Sequence, residues 1–128
     1  MIARPARVAL VMALAFVAIP VSAEPPPETV REMEGLIDAL RDSGCEFQRN
    51  GRWYDGGRAA THLRRKQAWL LERDLISSSE QFIERAGSRS SLTGRPYQVR
   101  CPGADPMPSA RWLNETLESL RARTSPSR

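Results

Sequence analysis

The sequence predicts a helix-dominated α+β domain, with three to four helices around a small two- to three-stranded antiparallel sheet stapled by one disulfide. Three observations carry this. Apolar residues recur at three- and four-residue spacing in separate stretches, an Asn-Gly pair sits between short runs of strand character, and the two cysteines lie at 45 and 101.

The first 23 of the 128 residues read as an export signal. Arg4 and Arg7 precede the twelve-residue apolar run Val8–Ile19, and Pro20-Val21-Ser22-Ala23 ends in small residues suited to a signal peptidase, so cleavage is expected after Ala23. Twelve residues make about 18 Å of helix, short of a hydrocarbon core of about 30 Å, so the segment is not expected to span a membrane. Residues 24–29 are Pro-rich and expected as an extended spacer. A single domain is expected over 30–122, and 123–128 as a frayed tail.

Within the domain, Val30, Met33, Leu36, Ile37 and Leu40 form the stripe of a first helix, from about Glu28 to Ser43, with Gly44 as its left-handed stop. Cys45–Arg49 alternates, Asn50-Gly51 supplies a type I′ turn, and Arg52-Trp53-Tyr54 returns as the second arm of a hairpin. Asp55 is placed to cap a second helix running to about Asp74, with Ala59, Leu63 and Leu70 inward and Trp69 nearby. Ser77 and Glu80 have capping-box spacing ahead of a short helix bearing Phe82, Ile83 and Ala86, ended by Gly87. A polar loop covers Ser88–Pro96, and Tyr97–Cys101 alternates like a third strand, stopped by Pro102-Gly103. Pro108-Ser109 opens a last helix carrying Trp112, Leu113, Leu117 and Leu120.

Export to an oxidising compartment makes Cys45 and Cys101 a natural pair. Their bridge would close a loop of about 57 residues, which a chain-entropy argument values at roughly 4 kcal/mol. A redox or metal-binding thiol pair is the rival reading; there is no C-x-x-C, and one histidine leaves no ligand set. No metal and no cofactor are expected.

Several of these stretches resemble a known family. Gly44-Cys45-Glu46-Phe47-Gln48-Arg49-Asn50-Gly51, Ala59–Lys66, Glu80–Ile83, Ser88–Tyr97 and Val99-Arg100-Cys101-Pro102 are similar to the YfeK-like group of small exported bacterial proteins, domain of unknown function 5329. The resemblance covers about Leu36 to Gly103. It implies an exported single-domain protein with the same cysteine pair, and it implies no activity.

The charge balance excludes some classes. The whole chain has a net charge of +4, which falls to 17 basic against 15 acidic residues once the signal is removed. No nucleic-acid partner is expected from so small an excess. Arg58, His62, Arg65 and Lys66 fall on one face of the second helix and can hold a carboxylate or phosphate, with the Ser88–Arg95 loop, including Ser90 and Ser91, completing an anion site. The reading that follows is a periplasmic, non-catalytic binding or protein-interaction module, whose partner is an anionic cell-envelope component or an acidic periplasmic protein. The alternative is a small periplasmic hydrolase with His62 as base and Ser90 or Ser91 as nucleophile, although neither G-x-S-x-G nor S-x-x-K is present. A partner contact through Trp53 or Trp112 is a third possibility.

Overall fold

The computed structural model of the chain describes residues 2–6, 8–19 and 24–126. Residues 2–6 and 8–19 have no regular secondary structure and are exposed, while Arg7 and the expected cleavage site at Pro20–Ala23 lie outside the described residues. Helix α1 spans Pro27–Asp42, strands β1 and β2 Glu46–Arg49 and Arg52–Asp55, helix α2 Gly56–Glu72, and helix α3 Ser79–Phe82, which continues as a π turn over Ile83–Gly87. Strands β3 (Gln98–Arg100) and β4 (Met107–Pro108) follow, then helix α4, Ser109–Thr124. The sheet order is β2-β1-β3-β4, every pairing antiparallel. β4 is a fourth strand that the sequence reading omits, because its two residues, one of them proline, carry no alternation.

Helix α1 starts at Pro27, inside the stretch expected as spacer, because proline is preorganised for the first helical turn. Its buried stripe is Thr29, Met33, Leu36, Ile37 and Leu40; Val30 is 41% exposed, and Thr29 takes its place. Gly44 has φ +70° just past the helix, as a left-handed stop requires. Asn50 and Gly51 have φ of +50° and +80°, the type I′ conformation, and they hold Phe47 opposite Tyr54 and Arg49 opposite Arg52.

Asp55 caps α2 by accepting from the Arg58 amide at 2.8 Å. The α2 stripe is Gly56, Ala60, Leu63, Gln67 and Leu70, so Ala60 rather than Ala59 is the alanine that is buried. Trp69 is 52% exposed, with the Arg73 guanidinium 4.0 Å from its ring centroid. Gly56 marks where α2 meets the end of α1: a β-carbon there would lie 2.5 Å from the Leu40 carbonyl oxygen and 2.8 Å from that of Arg41. No larger residue fits that close approach of backbone to backbone.

The cap of α3 is Ser78, whose hydroxyl accepts from the Gln81 amide at 3.1 Å, rather than Ser77. The Gln81 side chain returns the contact one residue early, accepting from the Ser77 amide and hydroxyl at 2.9 and 2.8 Å. Glu80 is thereby free of capping, and Arg121 joins it at 2.6 Å to Glu32, tying α1, α3 and α4 together.

All four helices contribute to one core with Phe47 and Val99 of the sheet, and Met33, Leu36, Phe82 and Ala86 are fully buried there. Cys45 and Cys101 are joined in a disulfide that connects the start of β1 to the end of β3. Trp112 packs edge-on against Phe47, with ring centroids 5.5 Å apart. Trp53 lies half-buried under the Arg100 guanidinium, which Glu46 pairs at 3.0 Å. Among the described residues, no helix is long and apolar enough to cross a membrane.

Candidate functional site: an arginine-rimmed cavity between the hairpin and helix α2

Alternation in the hairpin sets one face of β1 and β2 apart. Phe47, Arg49, Arg52 and Tyr54 share that face, because residues two apart on a strand point the same way and the register pairs 47 with 54 and 49 with 52. Helix α2 runs alongside and contributes Arg58, His62 and Arg65. Between them lies a cavity of about 520 Å³. Leu40, Phe47, Leu63, Ala86 and Leu113 belong to its apolar lining, whereas Arg49, Arg52, Arg58, Arg65, His62 and the two tyrosines, 54 and 97, supply its charged and titratable groups.

The cationic character of this lining is uncompensated. It contains four arginines and no aspartate or glutamate. Some other arginines are paired, such as Arg64 with Glu34, Arg100 with Glu46 and Arg111 with Glu115, while Arg31, Arg85, Arg89, Arg95 and Arg123 make no ion pair among the described residues. What sets the four of the lining apart is that they converge on one concavity. Among the described residues no carboxylate lies within 4.0 Å of the guanidinium group of Arg49, Arg52, Arg58 or Arg65.

His62 sits at the centre of a small network. Arg49 Nη1 lies against the imidazole, 2.6 Å from His62 Nδ1 and 3.3 Å from Nε2. Nε2 lies 3.3 Å from the Tyr97 hydroxyl, which also accepts from Lys66 Nζ at 3.3 Å. Burial, followed by the charges of Arg49, Lys66 and Arg65, pushes the His62 pKa down to about 4, so the ring is uncharged at neutral pH. Burial and Arg49 also lower the pKa of Lys66, and burial raises that of Tyr97. Tyr54 moves the other way: hydrogen bonding to Arg49, whose guanidinium lies 5.2 Å from its ring centroid, favours the phenolate and lowers its pKa.

The structure divides the residues expected to form the site. Arg58, His62 and Arg65 line the cavity together. Lys66 does not; its ammonium donates to the Arg89 carbonyl at 3.1 Å and lies over Tyr97, bracing the 88–96 loop. Ser90 and Ser91 are also outside the lining. Ser90 is buried, and its hydroxyl serves the loop itself, accepting from the Leu92 and Thr93 amides and from Asn50 Nδ2, each at 3.3 Å. Ser91 is exposed. No hydrogen bond joins His62 to either serine among the described residues; Arg49 and Tyr97 take both ring nitrogens.

Sequence reasoning missed Arg49, Arg52, Tyr54 and Tyr97. For the two arginines a signal was present. A two-residue Asn-Gly turn puts the flanking residues directly opposite each other, and like charges so placed destabilise a hairpin. Arginine at both positions is a local conflict of the kind that marks functional sites.

Residues 27–121 match the Family of unknown function (DUF5329). The chain belongs to this family. The matched stretch includes α1 and nearly all of α4, so the family extends well beyond the Leu36–Gly103 segment whose motifs carry the resemblance. The uncharacterised protein YfeK of Salmonella typhimurium (strain LT2) is 36% identical over 66 residues, 51% of this chain and 53% of the relative. The chain thus spans about half the length of this curated relative. No solved structure matches it.

Proposed function

We propose that this member of the family is exported through a cleaved signal peptide and acts in the periplasm as a non-catalytic module that binds an anionic ligand in the cavity between the hairpin and α2. One observation carries the reading: four arginines without carboxylate partners surround a concave site of about 520 Å³. That is within the size range of small-molecule sites, and burying a ligand anion there would supply the missing counter-charge. The Arg4–Ala23 pattern and the Cys45–Cys101 bridge support export.

Binding fits the site chemistry better than hydrolysis. A histidine with a pKa of about 4 is a weak proton acceptor at neutral pH, and its ring nitrogens are already engaged. In this reading Arg58, His62 and Arg65 of the helix face act together with Arg49 and Arg52 of the hairpin, and Lys66, Ser90 and Ser91 lie outside the lining.

The test is a thermal-shift panel of anionic and neutral small molecules on protein expressed from the full-length sequence and recovered oxidised. An anion at a hundred times its Kd adds roughly 2.7 kcal/mol, which means several degrees for a domain this small. The shift should vanish in Arg65→Ala and persist in Arg111→Ala, whose side chain pairs with Glu115 on α4. A shift that survives Arg65→Ala would place the ligand elsewhere. Amino-terminal sequencing of periplasmic material should begin at Glu24.

A further inference from the structure

We propose that the cavity accommodates a small organic phosphate carrying two negative charges, with the phosphate between the hairpin and helix arginines and a compact uncharged ring over Phe47, Leu63 and Leu113. This deepens the anion-binding reading and rests on it. Charge favours a dianion. The cations come from two facing elements, Arg49 and Arg52 from the hairpin and Arg58 and Arg65 from α2. A monocarboxylate has two oxygens and one charge, which a single guanidinium fork can satisfy. A phosphomonoester has three terminal oxygens and a charge of about −1.5 to −2 at neutral pH, so it can take donors from both walls.

Volume and shape point to more than the phosphate. At about 520 Å³ the cavity is far larger than a bare phosphate needs, and the remainder is bounded by apolar side chains. Phe47, Leu63 and Leu113 are only 7%, 4% and 1% exposed, so the apolar surface within reach is small. A ring fits that surface better than a long acyl chain, which needs an extended apolar track. Neutral His62 and the Tyr54 hydroxyl stand beside the arginines as uncharged polar groups able to orient the ester oxygen.

Four probes separate the parts of the proposal: phenyl phosphate, benzenesulfonate, inorganic phosphate and benzyl alcohol, measured by calorimetry at pH 7.5 on the oxidised protein. Phenyl phosphate should bind at least about tenfold more tightly than benzenesulfonate, which shares the ring and a tetrahedral head but carries one charge. It should also exceed inorganic phosphate by about tenfold, and benzyl alcohol should not register. Arg52→Gln and Arg65→Gln, one from each wall, should each weaken phenyl phosphate by roughly tenfold or more. Arg111→Gln should leave it unchanged, and melting curves of all three variants report that the fold is intact. Equal binding of benzenesulfonate and phenyl phosphate would overturn the dianion while leaving an anion site standing. Equal binding of inorganic and phenyl phosphate would overturn the ring. Loss in only one of the two cavity variants would overturn the two-walled clamp. Silence from all four probes would overturn the phosphate proposal, and if the wider anion panel is silent too, the anion-binding reading falls with it.

Discussion

Arg49 Nη1 lies 2.6 Å from His62 Nδ1, so a permanent cation rests against the one histidine of the chain. A guanidinium so close repels a second positive charge, which disfavours protonation of the ring. Burial and the surrounding charges act in the same direction.

His62 should therefore titrate near pH 4 rather than 6.5. Because the folded-state value is depressed, the unfolded chain binds a proton that the native protein does not between about pH 6.5 and 4. Stability should be complete above 6.5 and fall through that interval. The carboxyls of Glu32 and Glu80, held low by hydrogen bonds from Arg121, contribute stability that is present above about pH 4.5 and is lost below it, so the interval from 6.5 to 4.5 isolates the histidine. Imidazole NMR should show the low midpoint, Arg49→Gln should raise it, and urea midpoints of His62→Gln should be flat where those of the parent decline. A midpoint near 6.5 in the folded protein would contradict the Arg49 contact.

Arg52→Gln should make the unliganded protein more stable, even though it weakens binding. Arg49 and Arg52 face each other across β1 and β2, and relieving one such like-charge pair is worth roughly 0.2–1 kcal/mol. Urea unfolding at low salt measures the gain, which should shrink as salt is added. Destabilisation at low salt would show that the pair is not under repulsion.

Reducing the Cys45–Cys101 bridge, or replacing both cysteines by serine, should lower stability by about 4 kcal/mol on a chain-entropy argument. Urea midpoints of oxidised and reduced protein give the difference, and mass spectrometry without reductant should find no free thiol.

At the entry to α2, neighbouring glycines should behave oppositely. Gly56→Ala places a methyl group 2.5 Å from the Leu40 carbonyl oxygen and should cost about 1–3 kcal/mol. Gly57→Ala meets only Asp55 Oδ1, at 3.4 Å, and should be neutral or stabilise by up to about 1 kcal/mol through helix propensity. Thermal melts of the two variants decide it.

Ser78→Ala should cost about 1 kcal/mol, the usual value of a lost helix cap. Glu80→Gln should leave the cap intact and instead weaken the tie to Arg121. Comparing their denaturant midpoints distinguishes the two roles.

The elements were legible where a local rule had no rival. Asn50-Gly51, Gly44 and Asp55 each meet a backbone requirement that few other residues satisfy, and all three perform as read. The cap of α3 was harder, because Ser77, Ser78 and Ser79 are adjacent and chemically equal; only packing, which buries Ser79 and turns its hydroxyl to Glu32 at 2.9 Å, selects the middle one. Stripes slipped by one residue at Val30 and Ala59 because the adjacent positions, Thr29 and Ala60, fit a 3.6-residue period almost equally well, and hydrophobicity alone favours Val30 over Thr29. The candidate site was half legible for a different reason. Helical spacing groups Arg58, His62 and Arg65 on α2, but their partners Arg49 and Tyr97 lie 13 and 35 residues from His62 in sequence, and only the tertiary fold brings them to the ring. Lys66 shares the helical spacing yet faces the 88–96 loop, since spacing fixes a face and not what covers it.

The bridge between Cys45 and Cys101 encloses β1, β2, α2, α3 and the exposed 91–96 stretch within one covalent ring. Peptide-bond cleavage anywhere in that ring opens it without releasing a fragment. A nick beside Leu92, 94% exposed in this stretch, would add one water to the mass, leave the protein a single band until reductant is added, and keep Arg49, Arg52, Arg58 and Arg65 on one polypeptide segment. The ring thus makes the cation cluster tolerant of a single cut in this exposed stretch.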